Sequence, residues 1–280
     1  MPVKRYTWRQ MVLVVWAIGW SDFVMKYRGS FLGYLWSFVP MIVRFLVIFH
    51  IFRPFVGEEV PYYPLYLFLG LIIWQHFCGV TSGCISALES KSAIIQKVNF
   101  PRILLMFAVG CQQAIICATE FLLFLCITFF LGPLPGAGYI YFPFLFVQMS
   151  LLALGIGMFL SAYSLKFRDV SHLWSVLLQV LFWFTPIMYF KEMEAPISRT
   201  AVGLLTGGGP QNLWGFFDAF IRLQPVSMLM QDARRVLLYY EDIGLPTLVH
   251  IGGATAVCLV IFLVGAAAYL RRSTLFLQEY

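Results

Sequence analysis

ESKSAIIQKVNFPR, residues 89–102, places Glu89, Lys91, Lys97 and Arg102 between two of the longest apolar runs in the chain. The composition around it decides the fold class. The 280 residues are 61% hydrophobic and 11% charged, with 28 Phe and a mean hydropathy of +0.83. A soluble core of this length does not bury that much apolar surface, so an all-α integral membrane protein is expected. The charged stretch then reads as a loop returned to water between two spans.

A bilayer core asks for about 20 apolar residues of helix. Working outward from the loop, six runs meet that length, at about 33–53, 62–83, 103–131, 143–165, 171–190 and 246–270. The run MVLVVWAIGW, residues 11–20, does not. Flanked by Lys4, Arg5 and Arg9 before it and Lys26 and Arg28 after it, it suits an interfacial helix over about 4–28 with tryptophans at headgroup depth. A signal peptide is the alternative, but no small-x-small cleavage site follows Trp20. The whole is one transmembrane domain, 1–280.

Charge sets the orientation. With six spans and both termini cytoplasmic, the inner side holds Lys4, Arg5, Arg9, Lys26, Arg28, Lys91, Lys97, Arg102, Lys166, Arg168, Arg271 and Arg272. The outer side holds Arg53, Lys191, Arg199, Arg222, Arg234 and Arg235. That excess of Lys and Arg puts residues 89–102 and the shorter KFRD, residues 166–169, in the cytoplasm.

Residues 191–245 include LWGFFDAFIRL (213–223) and PVSMLMQDARRVLLYY (225–240), both too short to cross and too apolar for an exposed loop. A re-entrant hairpin on the outer side is expected, with a small external helical cap as the alternative. No internal repeat points to an inverted-repeat transporter.

Catalytic constellations are missing. His50, His76, His172 and Cys78, Cys84, Cys111, Cys117, Cys126 and Cys258 form no metal spacing, and His250 stands apart. No HExxH, GxSxG or GxxxxGK[ST] occurs, and GGGP at 207–210 lacks the lysine of a phosphate loop. Neither catalysis nor ATP binding is expected of this chain, and no block of like charge suggests nucleic acid. Two ionisable residues stand inside spans, Arg44 and Glu120. Counted from the outer ends of their helices they lie at depths within about 3 Å of each other. They are expected either to pair or to line a hydrated path.

Around the charged stretch, an amphipathic helix can start at Ser90, carry Ile94, Ile95 and Val98 on one side, and end before Pro101. A rigid apolar-faced knob of this kind suits docking on a soluble partner. A set of motifs in order then resembles a known family: KYRGSFLGYLWSFVP (26–40), KVNFPR (97–102), LSAYSLKFRDV (160–170), FWFTPIMYF (182–190), LQP (223–225) and DARRVLL (232–238). Together they resemble the permease subunit of ABC-type polysaccharide exporters, which move O-antigen, teichoic acid and related lipid-linked glycans. The chain departs from that pattern at LQP, in the glycine-rich stretch 203–210 and at Arg44.

The resemblance implies a homodimer in the bacterial inner membrane, bound by two copies of a separate ATPase subunit that holds ATP and Mg. It implies coupling residues Ser90, Lys91, Ile94, Ile95, Lys97, Val98 and Asn99, with Arg168 and Asp169 as a second contact. It also implies an outer gate that includes Phe216, Phe217, Pro225 and Arg234. Sugars stack on aromatic faces, so Tyr34, Trp36, Phe38, Trp183, Phe184 and Tyr189 are candidate channel rings beside Arg44 and Glu120. A drug or small-lipid exporter is the near alternative, and an integral-membrane glycosyltransferase or acyltransferase the distant one.

Overall fold

The computed structural model describes residues 7–29, 33–56, 60–90, 101–133, 136–164, 166–167, 169–189, 220–221 and 224–275. Among these the secondary structure is helical throughout, as the apolar runs require. The helices are α1 (Trp8–Tyr27), α2 (Phe38–Val56), α3 (Tyr63–Ser90), α4 (Ile103–Leu131), α5 (Phe142–Ser164), α6 (Asp169–Phe184), α7 (Pro225–Leu238), the short α8 (Tyr240–Ile243) and α9 (Leu248–Leu275). One-turn 3₁₀ segments, Gly33–Ser37 and Ala137–Tyr141, lead into α2 and α5.

Among the described residues, five helical stretches are long and apolar enough to cross a membrane: Gly33–Val56, Tyr63–Ala87, Ile103–Leu131, Ala137–Ser164 and Leu248–Arg272. Within the expected span at 171–190 the helical part is the 16-residue α6, and the chain continues to residue 189 without helical geometry. At about 1.5 Å per residue α6 extends about 24 Å, and residues 185–189 lengthen the segment beyond the point where the helix stops. Pro186 is the reason, because the residue before a proline is pushed out of helical geometry and the chain leaves the helix there.

α3 is the centre of the bundle and largely buried, while α2 stands at the edge and is mostly exposed. On one side α3 packs against α4, where Val109 fills the space above Gly83, and on the other against α5, where Cys84 meets Gly157. α5 and α9 make the closest backbone approach. A methyl group at Gly265 would fall 1.9 Å from the Gly155 carbonyl oxygen, and one at Gly155 would fall 2.6 Å from the Phe262 Cα. Small residues permit this contact, which lipid tails do not drive. Gln148 adds a hydrogen bond across it, donating to Thr255 Oγ1 at 2.7 Å.

α1 opens with a cap in which Gln10 Oε1 accepts from the Thr7 N–H at 3.0 Å. It does not stand apart from the spans. Gly19 is buried against the Ala108 carbonyl and Cys111, and further along Lys26 reaches the neighbourhood of Glu120, so α1 runs lengthwise beside α4 in the same direction. A ladder of rings, Trp16, Trp20, Phe23, Tyr27, Tyr34 and Phe38, joins consecutive members at centroid distances of 5.0–5.8 Å and carries the chain from α1 into α2.

α7 occupies the segment expected to form the second arm of a hairpin before the last span. Pro225 occupies its first turn, where a missing N–H costs nothing. At 14 residues it is about 21 Å long, yet Val226, Leu229, Met230, Ala233, Val236 and Leu237 are all buried, against α3, α5 and α9. It is a covered helix that does not span. Arg235 closes the exit by donating to the carbonyls of Ile243 and Gly244, both at 2.9 Å, and Gly244 turns the chain with a positive φ of 69°.

Candidate functional site

Arg44 on α2 and Glu120 on α4 lie at one depth, as their positions along the helices suggest, and both line the same cavity of about 180 Å³. They do not form the expected ion pair. α2 packs on α3, so the Arg44 guanidinium meets Gln75 first and donates to its Oε1 at 3.4 Å, while the cavity separates it from α4. Glu120 is 3% exposed, and its Oε2 has no hydrogen-bond partner among the described residues. Lys26 is the cation whose field reaches it, across the cavity and beyond salt-bridge distance. An open-sided pocket thus has a carboxylate on its floor and Lys26, Arg44, Gln75 and Trp36 on its rim.

The candidate channel rings separate into different places. Trp36 borders this cavity and is half exposed. Tyr34 is turned to α4, where its hydroxyl hydrogen-bonds Thr119, and Phe38 packs edge-on against the Tyr34 ring. Trp183 is on the outward face of α6 at 63% exposure. Phe184 meets Phe220 edge-on at 6.0 Å, and Tyr189 donates to the Phe184 carbonyl at 3.0 Å. A second cavity, about 390 Å³ and almost wholly apolar, lies beneath the start of α7 among Phe77, Trp174, Leu181, Phe220 and Pro225.

Of the expected gate residues, Pro225 starts α7 and Arg234 is fully buried within it. Arg234 donates from Nε to the Tyr66 carbonyl at 3.2 Å, from Nη1 to that of Pro186 at 2.6 Å and from Nη2 to that of Ile187 at 2.9 Å. Its guanidinium lies over the Tyr66 ring, 3.4 Å from the centroid. Burial pushes its pKa down. Pro186 explains the arrangement: breaking α6 leaves carbonyls without helical partners, and Arg234 supplies the donors that lipid cannot. Gly70 is required beneath it, since a Cβ there would sit 2.3 Å from Nη2. Tyr63 donates to the Met188 carbonyl at 2.8 Å and Tyr66 to that of Tyr189 at 3.2 Å, so the whole stretch 186–189 is pinned to α3 and α7. Nearby, Asp232 accepts from His250 Nε2 at 2.9 Å and 3.0 Å, tying α7 to the start of α9.

The coupling residues Lys91, Ile94, Ile95, Lys97, Val98, Asn99 and Arg168, and the gate residues Phe216 and Phe217, lie outside the described residues. Ser90 is the last residue of α3. Asp169 is the first of α6, where its carboxylate opposes the positive end of the helix. Lys26, Gln75 and the Tyr66–Gly70 cradle were not among the expected site residues. The signal for Gln75 is in the sequence, as one of two adjacent polar residues, Gln75 and His76, in the middle of an apolar run.

A family model described as ABC-2 type transporter matches residues 14–201. The chain belongs to the ABC-2 type transporter family. Its ABC-2 match takes in α1 from residue 14 and all of α2 to α6, and therefore both the Arg44–Glu120 cavity and the broken end of α6. The chain is 30% identical over 164 residues to the O-antigen export system permease protein RfbA of Myxococcus xanthus, covering 59% of this chain and 63% of that protein. Two O-antigen export system permease proteins RfbA of Klebsiella pneumoniae are 24% and 25% identical over 174 residues, 62% of this chain and 67% of each. This ABC-2 permease is thus homologous to O-antigen export permeases, and the similarity spans just under two thirds of the Myxococcus protein's length.

Proposed function

We propose that this permease is the membrane half of an ATP-driven exporter that carries a lipid-linked polysaccharide from the cytoplasmic face across the inner membrane. Two copies form the path, and two copies of a separate ATPase subunit bind Mg and ATP. Both termini face the cytoplasm. The match to the ABC-2 family over residues 14–201, together with the kinship to O-antigen export permeases, carries this reading. Its physical support is the charged, open-sided cavity, because a chain so apolar maintains ionisable groups at span depth only where water or a polar cargo answers them.

In this reading the loop 91–100 docks on the ATPase and transmits its closure to α3 and α4, between which it lies. The covered helix α7, locked to residues 186–189, closes the outer end. Purification of the tagged permease from its own host tests the partner: an ATPase subunit should accompany it. Ile95→Asp should release that subunit while the permease still inserts and dimerises, because the apolar face of the knob is lost but the loop stays hydrophilic. Recovery of the permease alone, with no ATPase in any detergent or native-lipid preparation, would remove the reading.

A further inference from the structure

The cavity between α1, α2, α3 and α4 has a chemistry more specific than a wet path. Its floor is one carboxylate, Glu120, with an oxygen that no group among the described residues satisfies. Its rim has two cations, Lys26 and Arg44, neither of them within salt-bridge distance of a carboxylate among the described residues. Two positive charges against one negative leave an excess of one positive charge. A neutral occupant leaves that excess without a partner at span depth, where low-dielectric surroundings strengthen the pull of an opposite charge. A bare anion, on the other hand, faces Glu120 and gives its free oxygen nothing. The occupant that answers both carries an anionic group for Lys26 and Arg44 and hydroxyl donors for Glu120.

Two further observations narrow it. Trp36 presents a half-exposed indole at the rim, a flat face suited to the C–H surface of a sugar ring. A volume of about 180 Å³ is below the roughly 300–1,000 Å³ of pockets for drug-sized ligands, so a single ring-sized group fits and a longer glycan segment does not. We propose that this pocket is a binding site for one acidic sugar residue, a ring bearing a carboxylate or phosphate. Its anion is held by Arg44 and Lys26, its hydroxyls by Glu120 and Gln75, and its face by Trp36. The proposal rests on the transport reading above and adds a selectivity to it: glycans containing acidic sugars are engaged here in preference to neutral ones. A glycerophosphate lipid headgroup shares the pairing of anion with hydroxyls but has no ring for Trp36.

The test is ligand-observed NMR titration of the purified permease in phosphatidylcholine nanodiscs, with glucuronate, glucose and glycerol 1-phosphate as probes. Glucuronate should saturate in the millimolar range, and glucose and glycerol 1-phosphate should each bind about tenfold more weakly or less. Arg44→Gln and Lys26→Gln should each bring glucuronate to the level of glucose with the melting temperature unchanged, since both side chains are exposed. Glu120→Ala should weaken glucuronate and glucose together. Equal binding of glucose and glucuronate overturns the proposal, as does indifference of glucuronate to both cation variants. Glycerol 1-phosphate binding as tightly as glucuronate overturns it in favour of a lipid headgroup. The transport reading stands or falls separately, on co-purification with the ATPase: a permease that brings down its ATPase yet ignores glucuronate keeps transport and loses this site.

Discussion

Arg234 and Tyr66 are stacked in the interior, guanidinium on ring at 3.4 Å, and Arg234 also donates to the Tyr66 carbonyl. One side chain thereby joins α7, α3 and the broken end of α6.

Arg234→Gln should lower the stability of the purified permease by on the order of 3 kcal/mol. Three buried carbonyls lose a charged donor together, and the replacement amide answers at most two of them. Arg234→Lys should fall between, because a point charge does not reproduce the planar fork. Thermal unfolding in detergent measures both. An Arg234→Gln melting point equal to wild type contradicts the locking role.

Gly265→Ala should destabilise by about 1–3 kcal/mol, and Gly265→Leu should prevent recovery of monodisperse protein. The added methyl collides with the Gly155 carbonyl, which is backbone and cannot turn aside. Gly252→Ala, on the same helix with open space around it, is the control and should be neutral or slightly stabilising. Size-exclusion profiles and melting curves of the three variants check the expectation.

Asp232 and His250 should show a coupling of about 0.5–2 kcal/mol in a double-mutant cycle of Asp232→Asn and His250→Gln, read from unfolding in detergent. Two variants whose effects simply add contradict the contact.

Much of the helical framework is legible in the sequence because span length is a matter of counting apolar residues. The expected span 103–131 is α4, and 143–165 differs from α5 by a residue at each end. What counting misses is where hydropathy and partners disagree. Arg234 reads as a surface charge, yet it lies four residues after Met230 and three before Leu237, on the buried stripe of α7. Its partners are backbone carbonyls at 186 and 187, set free by a proline about fifty residues earlier in the chain. Nothing local announces them. The Arg44–Glu120 pair fails for a related reason: equal depth is readable from helix ends, but which neighbour α2 packs against is a tertiary fact, and it brings Gln75 to Arg44 instead.

Orientation is tested at residues exposed on each side. A cysteine at Glu241, exposed on α8, in a background without the six native cysteines, should be labelled by a membrane-impermeant thiol reagent added outside intact cells. One at Trp8, exposed at the start of α1, should be labelled only after the cells are opened. The reverse pattern contradicts cytoplasmic termini.

The central claim is ATP-driven export, and its most direct measurement uses proteoliposomes that contain the permease, its ATPase and a lipid-linked glycan. With ATP added to expose one orientation, the glycan should disappear from the ATPase-facing leaflet and become protected from an added glycosidase on that side. The protection should require hydrolysable ATP and be lost with Ile95→Asp. Glycan that crosses equally without ATP, or that the permease alone converts into a different product, contradicts the account.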